Sequence, residues 1–320
     1  MAEGRRLPEW LKVRMPGGPN YIELKNMMRG SNLHTVCEEA HCPNIGSCWE
    51  RGTATFMILG DICTRACAYC AVTSGKPTQL DLKEPVRLAE TALKMNLRYA
   101  VITAVNRDDL PDGGAFMFAQ CIKQVRKRLP SCKIEVLIPD FEGDNSALAT
   151  VIEAQPNTLN HNIETVRRIF NRVRPKGDFD QSINLLGKVK SIDPSSITKS
   201  GMMVGLGETW EEIIENMEVL RSVDCDLLTI GQYLRPSEKH VALAKWYTPD
   251  EFNELKQIGE KMGFKHVASG PLVRSSYHAD EQHAAATSTT RQYQQVYFYR
   301  LNHPVSSVVV PFTTIQDRGN

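Results

Sequence analysis

The stretch FMILGDICTRACAYC, residues 56–70, joins a short apolar run to three closely spaced cysteines. The run FMILG (56–60) has the length and composition of a buried strand. Cys63, Cys67 and Cys70 follow it at offsets of four and three residues. Thiolates are soft ligands for zinc, copper(I) and iron–sulfur clusters, so this stretch predicts a metal site where a strand ends.

Similar apolar runs recur along the chain, and helical patterns lie between most of them. After 56–60 the runs are 99–105, 133–141, 158–163, 197–206 and 227–234. Six strand–helix units in series predict a parallel sheet with right-handed helical crossovers. Six units rather than eight favour an α/β fold of the partial (β/α)6 TIM-like barrel type. In such barrels the chemistry lies at the carboxyl ends of the strands, where CTRACAYC falls.

Two local patterns define helices within these units. Apolar residues at steps of four, three and four from Phe118 to Leu129 share one helical face, and Pro130 ends that helix. Thr248 and Glu251 have the spacing of a capping box at the start of another helix. We expect the barrel to span residues 53–271, between an N-terminal arm of residues 1–52 and a C-terminal segment of residues 272–320.

Composition limits the class of protein. The chain has 320 residues, of which 42% are hydrophobic, so it can bury a sizeable core. Its formal net charge of +1 lacks the basic excess of a general nucleic-acid binder. No apolar run approaches the roughly 20 residues that a membrane helix needs. We therefore expect a soluble cytoplasmic protein that binds neither nucleic acid nor membrane.

The chain has nine cysteines, a high count for that compartment, where disulfides are rare. Cys121, Cys132 and Cys225 stand alone, and we expect each to be a small buried hydrophobic residue. The other six form two tight groups, which favours metal binding or catalysis.

The group of Cys63, Cys67 and Cys70 offers three ligands, with no fourth Cys or His close by. A structural zinc site usually has four protein ligands. In an iron–sulfur cubane, three thiolates leave one iron open to a small molecule. The alternative is a zinc or redox knuckle.

The second group is Cys37, Cys42 and Cys48 in CEEAHCPNIGSCWE (37–50). It also offers three thiolates, which suits a second cubane. His41 lies inside the group, but its neighbour Cys42 makes it a poor additional ligand of the same cluster. A zinc knuckle that ties the N-terminal arm to the barrel is the alternative.

CxxxCxxC after the first strand of a barrel is similar to the radical S-adenosylmethionine (SAM) superfamily. Together with that triplet, the motifs listed here in chain order resemble the lipoyl synthase family: PEWLKV, CEEAHCPNIGSCW, CTRACAYCAV, NRDDLPDGGA, NHNIET, KSGMMVGLGET, LTIGQYLRPS and RSSYHA. They run from Pro8 to Ala279, nearly the whole chain apart from the tail.

The resemblance implies a specific reaction. Two sulfur atoms are inserted at C6 and C8 of an octanoyl chain that is amide-linked to a lysine of a carrier protein. A 5′-deoxyadenosyl radical, made from SAM at the first cluster, breaks the unactivated C–H bonds. An auxiliary [4Fe–4S] cluster on Cys37, Cys42 and Cys48 donates the sulfur, and Ser275 of RSSYHA supplies its fourth ligand. The implied cofactors are therefore two [4Fe–4S] clusters and SAM.

Further site residues follow from the resemblance and from the strand ends. Tyr69 is expected near the adenine of SAM. Asn160 and Glu164 are candidates for the ribose hydroxyls, and Arg174 and Glu208 for the methionine end. Arg274 is a candidate contact of the auxiliary cluster or the carrier.

The implied partners are an octanoylated lipoyl-carrier domain, an electron donor such as ferredoxin or flavodoxin, and a protein that rebuilds the spent cluster. The N-terminal arm is basic, and we expect Arg5, Arg6 and Arg14 to help it dock an acidic carrier. We also expect the arm and RSSYHA to close over the barrel mouth.

Two other functions fit parts of the pattern. One is another radical SAM sulfur-inserting enzyme, such as a methylthiotransferase, which predicts an added basic module. The other is a non-catalytic iron–sulfur or zinc-binding protein, which predicts one metal site with complete protein ligation.

Overall fold

One eight-stranded sheet organises the computed structural model, which describes residues 7–13, 17–30, 33–39, 42–50, 55–77 and 79–288. The strands are β1 His34–Thr35, β2 Thr55–Ile58, β3 Ile62–Cys63, β4 Thr73–Ser74, β5 Tyr99–Ala104, β6 Lys133–Leu137, β7 Thr158–Asn160, β8 Ile197–Val204, β9 Leu227–Gln232 and β10 His266–Gly270. The sheet order is β1-β2-β5-β6-β7-β8-β9-β10, and β3 pairs with β4 separately. All pairs in the sheet are parallel except β1 with β2.

The helices alternate with the strands, as the sequence predicts. They are α1 Pro19–Gly30, α2 Val36–Glu39, α3 Ile45–Glu50, α4 Glu84–Lys94, α5 Ala115–Arg128, α6 Asn145–Glu153, α7 Phe170–Val173, α8 Phe179–Ile192, α9 Trp210–Ser222 and α10 Pro249–Lys261. Short 3₁₀ helices cover Glu9–Leu11, Phe141–Gly143 and Arg167–Ile169. Residues 279–288 are also helical.

Six parallel strand–helix units confirm the α/β partial barrel. The sheet also has two strands that the apolar runs did not predict. β10 adds a seventh parallel strand beside β9, and β1 adds an antiparallel edge beside β2. β1 is only two residues long, and most residues of β10 are half-buried. Neither segment is a buried strand of the kind that a continuous apolar run marks.

The local helix predictions are confirmed. Phe118, Ile122 and Val125 on α5 are fully buried, and the helix ends at Arg128. Both halves of the capping box of Thr248 and Glu251 are present at the start of α10. The lone cysteines are buried among apolar residues: Cys121, Cys132 and Cys225.

The described residues up to Ala286 belong to one compact unit. Within it the core lies between the sheet and its helices. The arm and the segment after Pro271 therefore pack with the barrel, and the boundaries at 52/53 and 271/272 stay predictions. The tail beyond residue 288 lies outside the described residues, as do Arg5, Arg6 and Arg14.

Candidate active site

A cavity of about 530 Å³ lies at the carboxyl ends of the strands. It gathers most of the residues predicted from the sequence: Cys37, Cys42, Cys63, Cys67, Cys70, Tyr69, Glu164, Arg174, Arg274 and Ser275. Cys48, Asn160 and Glu208 are not among the residues that line it. The N-terminal arm and RSSYHA both contribute to its wall, and their closure over the barrel mouth stays a prediction.

The loop of Cys63 to Cys70 is closed at its base. β3 and β4 pair in parallel, so Cys63 lies opposite Ser74, and the Gly75 N–H donates to the Cys63 carbonyl at 2.9 Å. The loop is thus tied to its own return strand. This arrangement places the three cysteines on a short loop that follows the end of β2.

Arg65 anchors the same loop to two neighbouring strand ends. Its guanidinium donates to both oxygens of Asp108 and to both oxygens of Asp140, at 2.7–3.1 Å. Asp108 follows β5 and Asp140 follows β6. The Arg65 side chain is 3% exposed. Burial alone would lower its pKa, but the two carboxylates more than compensate and raise it. Arg107 pairs with Asp109 in the same segment after β5.

The segment after β9 fastens the loop from the other side. The His240 Nε2–H donates to the Cys70 carbonyl at 3.0 Å, and the Val241 N–H donates to the Ala68 carbonyl at 2.9 Å. Around Cys63 Sγ, the backbone N–H groups of Asn106 and Arg65 approach to 3.3 and 3.4 Å. N–H groups directed at sulfur suit an electron-rich, metal-bound thiolate.

The cysteine thiols of the loop are desolvated. Burial raises the pKa of Cys67, and it raises the pKa of Cys70 to about 12. Such thiols keep their protons unless a cation stabilises the thiolate. The loop is therefore suited to a metal group that displaces those protons.

The second cysteine group lies in the arm, across the cavity. Cys37 on α2 is buried, and the Cys42 N–H donates to its carbonyl at 3.1 Å. Burial raises the pKa of Cys42. Asn44 Nδ2 donates to the Leu272 carbonyl at 2.6 Å, which joins the arm to the C-terminal segment. Cys48 is half-buried on α3.

Single-ion coordination does not fit either group. Across the described ranges, no three His, Cys, Asp or Glu side chains converge closely enough to hold one metal ion. A cluster of four irons is larger than one ion, so its ligand sulfurs lie further apart.

Ser275 reaches the cavity because two glycines leave it room. A Cβ at Gly201 would lie 3.2 Å from Ser275 Oγ, and a Cβ at Gly231 would lie only 2.1 Å from the Val273 carbonyl oxygen. Asn162 Nδ2 donates to Ser275 Oγ at 2.7 Å. The serine oxygen is therefore held in a fixed position against β8 and β9.

Glu164, Tyr69 and Arg174 form another part of the cavity wall. Glu164 has a left-handed backbone with φ of 68°, an uncommon conformation for a residue other than glycine. Burial raises its pKa, while nearby Arg174 and hydrogen bonds from Asn162 and Tyr69 oppose the rise. Arg174 is 7% exposed, and its guanidinium lies over the Phe170 ring.

His161 also lines the cavity. Its Nδ1–H donates to the Ile138 carbonyl at 2.9 Å, and burial lowers its pKa to about 4. The ring is therefore neutral at pH 7, and its Nε2 is a hydrogen-bond acceptor. That atom is buried and has no partner among the described residues.

Asn160 and Glu208 have other contacts in the structure. Asn160 is fully buried below the cavity, where its Nδ2 donates to Glu135 Oε1 at 3.3 Å. Glu208 accepts from the N–H groups of Gly205 and Leu206, at 2.5 and 2.9 Å, and closes the turn after β8. A contact of either residue with SAM stays a prediction.

Sequence reasoning missed Asn162, which contacts both Ser275 and Glu164. A signal for it was present in NHNIET. That stretch follows the end of β7 directly, where polar side chains are expected to face the site.

The cavity has the donors that an iron–sulfur cluster and a polar ligand require. Five cysteines and Ser275 in the lining are side chains of the kind that can ligate a metal cluster. Three further lining atoms are buried and lack a partner among the described residues: Asn106 Oδ1, His161 Nε2 and Asn162 Oδ1. Buried polar atoms are costly unless they are paired, so a polar ligand would satisfy them. The residues present therefore fit both cofactors.

Comparison with known proteins supports the class that this fold and cavity define. Residues 57–220 match the model of the radical SAM superfamily, and residues 1–42 match the N-terminal domain of lipoyl synthase. The FeFe-hydrogenase maturase from Carboxydothermus hydrogenoformans superposes with a TM-score of 0.53 at 14% identity, over 65% of this chain and 51% of that chain. Methylornithine synthase superposes with a TM-score of 0.50 at 17% identity, over 64% and 61%. These likenesses show the partial barrel fold.

Sequence relatives are more specific. The lipoyl synthase of Rubrobacter xylanophilus is 59% identical over 86% of this chain and 86% of that protein. The lipoyl synthase of Caldanaerobacter subterraneus is 58% identical over 86% of this chain and 96% of that protein. The chain therefore belongs to the lipoyl synthase family, and as a radical SAM enzyme it uses SAM and [4Fe–4S] clusters.

Family membership favours this enzyme class over the methylthiotransferase and the non-catalytic metal protein. No helix in the described part of the chain is both long enough and apolar enough to span a membrane.

Proposed function

We propose that this protein inserts two sulfur atoms at C6 and C8 of an octanoyl chain carried on a lysine of a lipoyl-carrier domain. The supporting observation is that five cysteines from two groups and Ser275 line one cavity. Two clusters held there would lie close enough to act on one substrate. The 59% identity to a curated lipoyl synthase supports the same reaction.

The substrate explains why metal cofactors are needed. C6 and C8 of an octanoyl chain are unactivated carbons, with no carbonyl near enough to acidify their hydrogens. Side-chain acids and bases cannot break such bonds, so a cofactor must. When bound, SAM with its cluster supplies hydrogen abstraction, and the auxiliary cluster supplies sulfur.

Cys63, Cys67 and Cys70 would hold the SAM-binding cluster through three thiolates and leave one iron open. Arg65 and His240 would keep the loop in the geometry that the cluster requires, since both hold it from outside the cysteines.

Tyr69, Glu164 and Arg174 would bind SAM in their part of the cavity. The Glu164 carboxylate suits the ribose hydroxyls, and the Arg174 guanidinium suits the carboxylate of the methionine part. Asn160 and Glu208 stay weaker candidates for the same ligand, because both have other hydrogen bonds.

Cys37, Cys42 and Cys48 would hold the auxiliary cluster, with Ser275 as the ligand of its fourth iron. An alkoxide is harder than a thiolate and is held more weakly in such a site. Its iron would therefore be the easiest to lose when sulfide is removed. Arg274 lies beside Cys42, and burial lowers its pKa.

Apolar residues of the cavity wall would accommodate the octanoyl chain. Val36, Met57, Val105, Leu137 and Met203 all line the cavity. An apolar wall excludes water from the reacting carbons and favours an alkyl chain.

The finer partner assignments belong to the proposal as well. They are an octanoylated carrier domain, a small electron donor such as ferredoxin or flavodoxin, and a protein that restores the consumed cluster. Docking of the carrier by Arg5, Arg6 and Arg14 stays a prediction, because these residues lie outside the described ranges.

Anaerobic incubation of the reconstituted protein with an octanoyl-lysine peptide, SAM and a reductant tests the proposal. Mass spectrometry should show the peptide with two added sulfurs. Cys37→Ala should still cleave SAM but deliver no sulfur, and Cys63→Ala should do neither. Iron and sulfide analysis should give about eight of each per chain for two cubanes. A peptide that gains no sulfur from fully loaded protein would reject the proposal.

A further inference from the structure

Asn162 lies between the two halves of the cavity, and its amide contacts both. Nδ2 donates to Ser275 Oγ at 2.7 Å and to Glu164 Oε1 at 3.1 Å. An amide nitrogen carries two hydrogens, so both are used. Ser275 is the proposed ligand of the auxiliary cluster, and Glu164 is a proposed contact of SAM. One side chain thus joins the two proposed cofactor sites.

The surroundings restrict this amide to a narrow position. The backbone carbonyl of Asn162 accepts from Arg174 Nη1 at 2.9 Å, which fixes the chain at this residue. A Cβ at Gly201 would lie 2.8 Å from Asn162 Oδ1 and 3.2 Å from Ser275 Oγ. The glycine therefore provides just enough space for the Asn162–Ser275 pair, which packs against β8.

Glu164 can change its contacts only through its side chain. Its N–H donates to the Gly201 carbonyl and its carbonyl accepts from the Met203 N–H, both at 2.9 Å. These bonds fix its left-handed backbone against β8. A ligand hydroxyl or ammonium group that engages the carboxylate would compete with the Asn162 amide for it.

We propose that Asn162 is a positioning residue that couples SAM binding at Glu164 to the hold of Ser275 on the auxiliary cluster; this rests on the function proposed above. With Glu164 as its anchor, the amide points at Ser275 Oγ and stabilises the anionic oxygen of a metal-bound serine. When SAM engages Glu164, the amide loses that anchor and Ser275 is released more readily. The sulfur donor would thus be loosened when the hydrogen-abstracting cofactor is in place.

The test measures how fast a ferrous chelator removes iron from the anaerobically reconstituted holoenzyme, with and without SAM. Reductant and octanoyl peptide are omitted, so no turnover occurs. The rate for Cys37→Ala, which keeps only the SAM-binding cluster, is subtracted. In the wild type, SAM should speed iron release about tenfold. Without SAM, Asn162→Ala should release iron about ten- to a hundredfold faster than the wild type, the effect of one charge-assisted hydrogen bond.

Two comparisons separate this role from general damage to the fold. Asn162→Ala combined with Ser275→Ala should release iron no faster than Ser275→Ala alone, because the amide acts through the serine. Asn216→Ala removes a buried asparagine on α9 whose Nδ2 contacts Met202 Sδ, and it should keep the wild-type rate. Asn162→Asp retains the side-chain volume without the N–H donors, so it repeats the test if Asn162→Ala does not fold.

The inference fails if Asn162→Ala releases iron at the wild-type rate, if SAM still accelerates release from that variant, or if the double variant is faster than Ser275→Ala. Failure of the proposed function has a different result, because the wild-type protein would then add no sulfur to the octanoyl peptide.

Discussion

The barrel interior below the cavity and the cavity itself differ in how their polar atoms are paired. Two residues before Gly201 on β8, Lys199 Nζ donates to Glu135 Oε1 at 2.9 Å, and both side chains are at most 1% exposed. Tyr99 Oη donates to the other Glu135 oxygen at 3.0 Å. In the cavity above, His161 Nε2 and Asn162 Oδ1 are buried without a partner among the described residues.

The two ends of the same strands therefore have different roles. The lower layer pairs its charges internally, so it can stabilise the fold without a ligand, although Asn160 Oδ1 also lacks a partner there among the described residues. The upper layer leaves acceptors unpaired, which costs stability until a ligand supplies donors. Three predictions test the contrast.

The largest expected effect comes from breaking the lower layer. Lys199→Met leaves Glu135 buried without its counter-charge, which should lower the free energy of unfolding by about 3–5 kcal/mol. Urea denaturation of the protein measures it. Adding Glu135→Gln removes the stranded charge and should restore most of the loss. A loss below about 1 kcal/mol in the single variant would show that the pair does not stabilise the barrel.

A smaller effect is expected where the C-terminal segment contacts the upper layer. Gly231→Ala places a Cβ 2.1 Å from the Val273 carbonyl oxygen, so the segment that carries Ser275 must shift. Overpacking of this kind costs about 1–3 kcal/mol. If about 1.4 kcal/mol of this overpacking cost adds to the activation free energy, the rate of sulfur insertion should fall at least about tenfold.

The matched control is Gly270→Ala, whose Cβ would meet only the Val273 Cγ2 methyl group at 3.3 Å. That methyl can move, so activity should stay close to the wild type. Mass spectrometry of the peptide product compares the two variants. Equal activity in Gly231→Ala and Gly270→Ala would mean that Ser275 does not need this close approach.

The third prediction concerns Asp226 at the amino end of β9. Burial would raise its pKa, but Lys190 and Lys265, with the Thr198 N–H, lower it. A carboxyl whose folded pKa is depressed stabilises the protein above the unfolded pKa of about 3.9, and the stabilisation disappears as pH falls through the folded pKa. Asp226→Asn should therefore cost about 1–3 kcal/mol at pH 7.

Unfolding free energies of wild type and Asp226→Asn between pH 7 and pH 3 check this sign. The difference between them should shrink below about pH 4. A difference that grows with acidity would contradict the assignment of Asp226 as an ion-paired carboxylate.

Local patterns were sufficient to predict much of the fold. Apolar runs marked six parallel strands, and helical periodicity with a capping box marked α5 and α10. β1 and β10 lack such runs. They are strands because they pair with a neighbouring strand, and their own composition does not indicate it. Their positions depend on tertiary contacts that no short window of sequence contains.

The residues of the candidate site could likewise be predicted only in part. The cysteine groups are local in sequence, so spacing revealed them. Asn162 and Ser275 are 113 residues apart, and Arg65 and Asp140 are 75 apart. Only strand order and register bring such pairs together, so the sequence could name polar residues at strand ends but not which of them would touch.

The hydrogen bond from Asn44 to the Leu272 carbonyl has a consequence for biosynthesis. The wall of the cavity uses residues from Val36 to Ser276, so it cannot be completed while the ribosome still holds the last of these. The arm is translated first and its β1 can pair early with β2, but the contact of Asn44 must wait until Leu272 has been made. The cavity that Cys37 and Cys42 line is therefore complete only after the barrel has been translated.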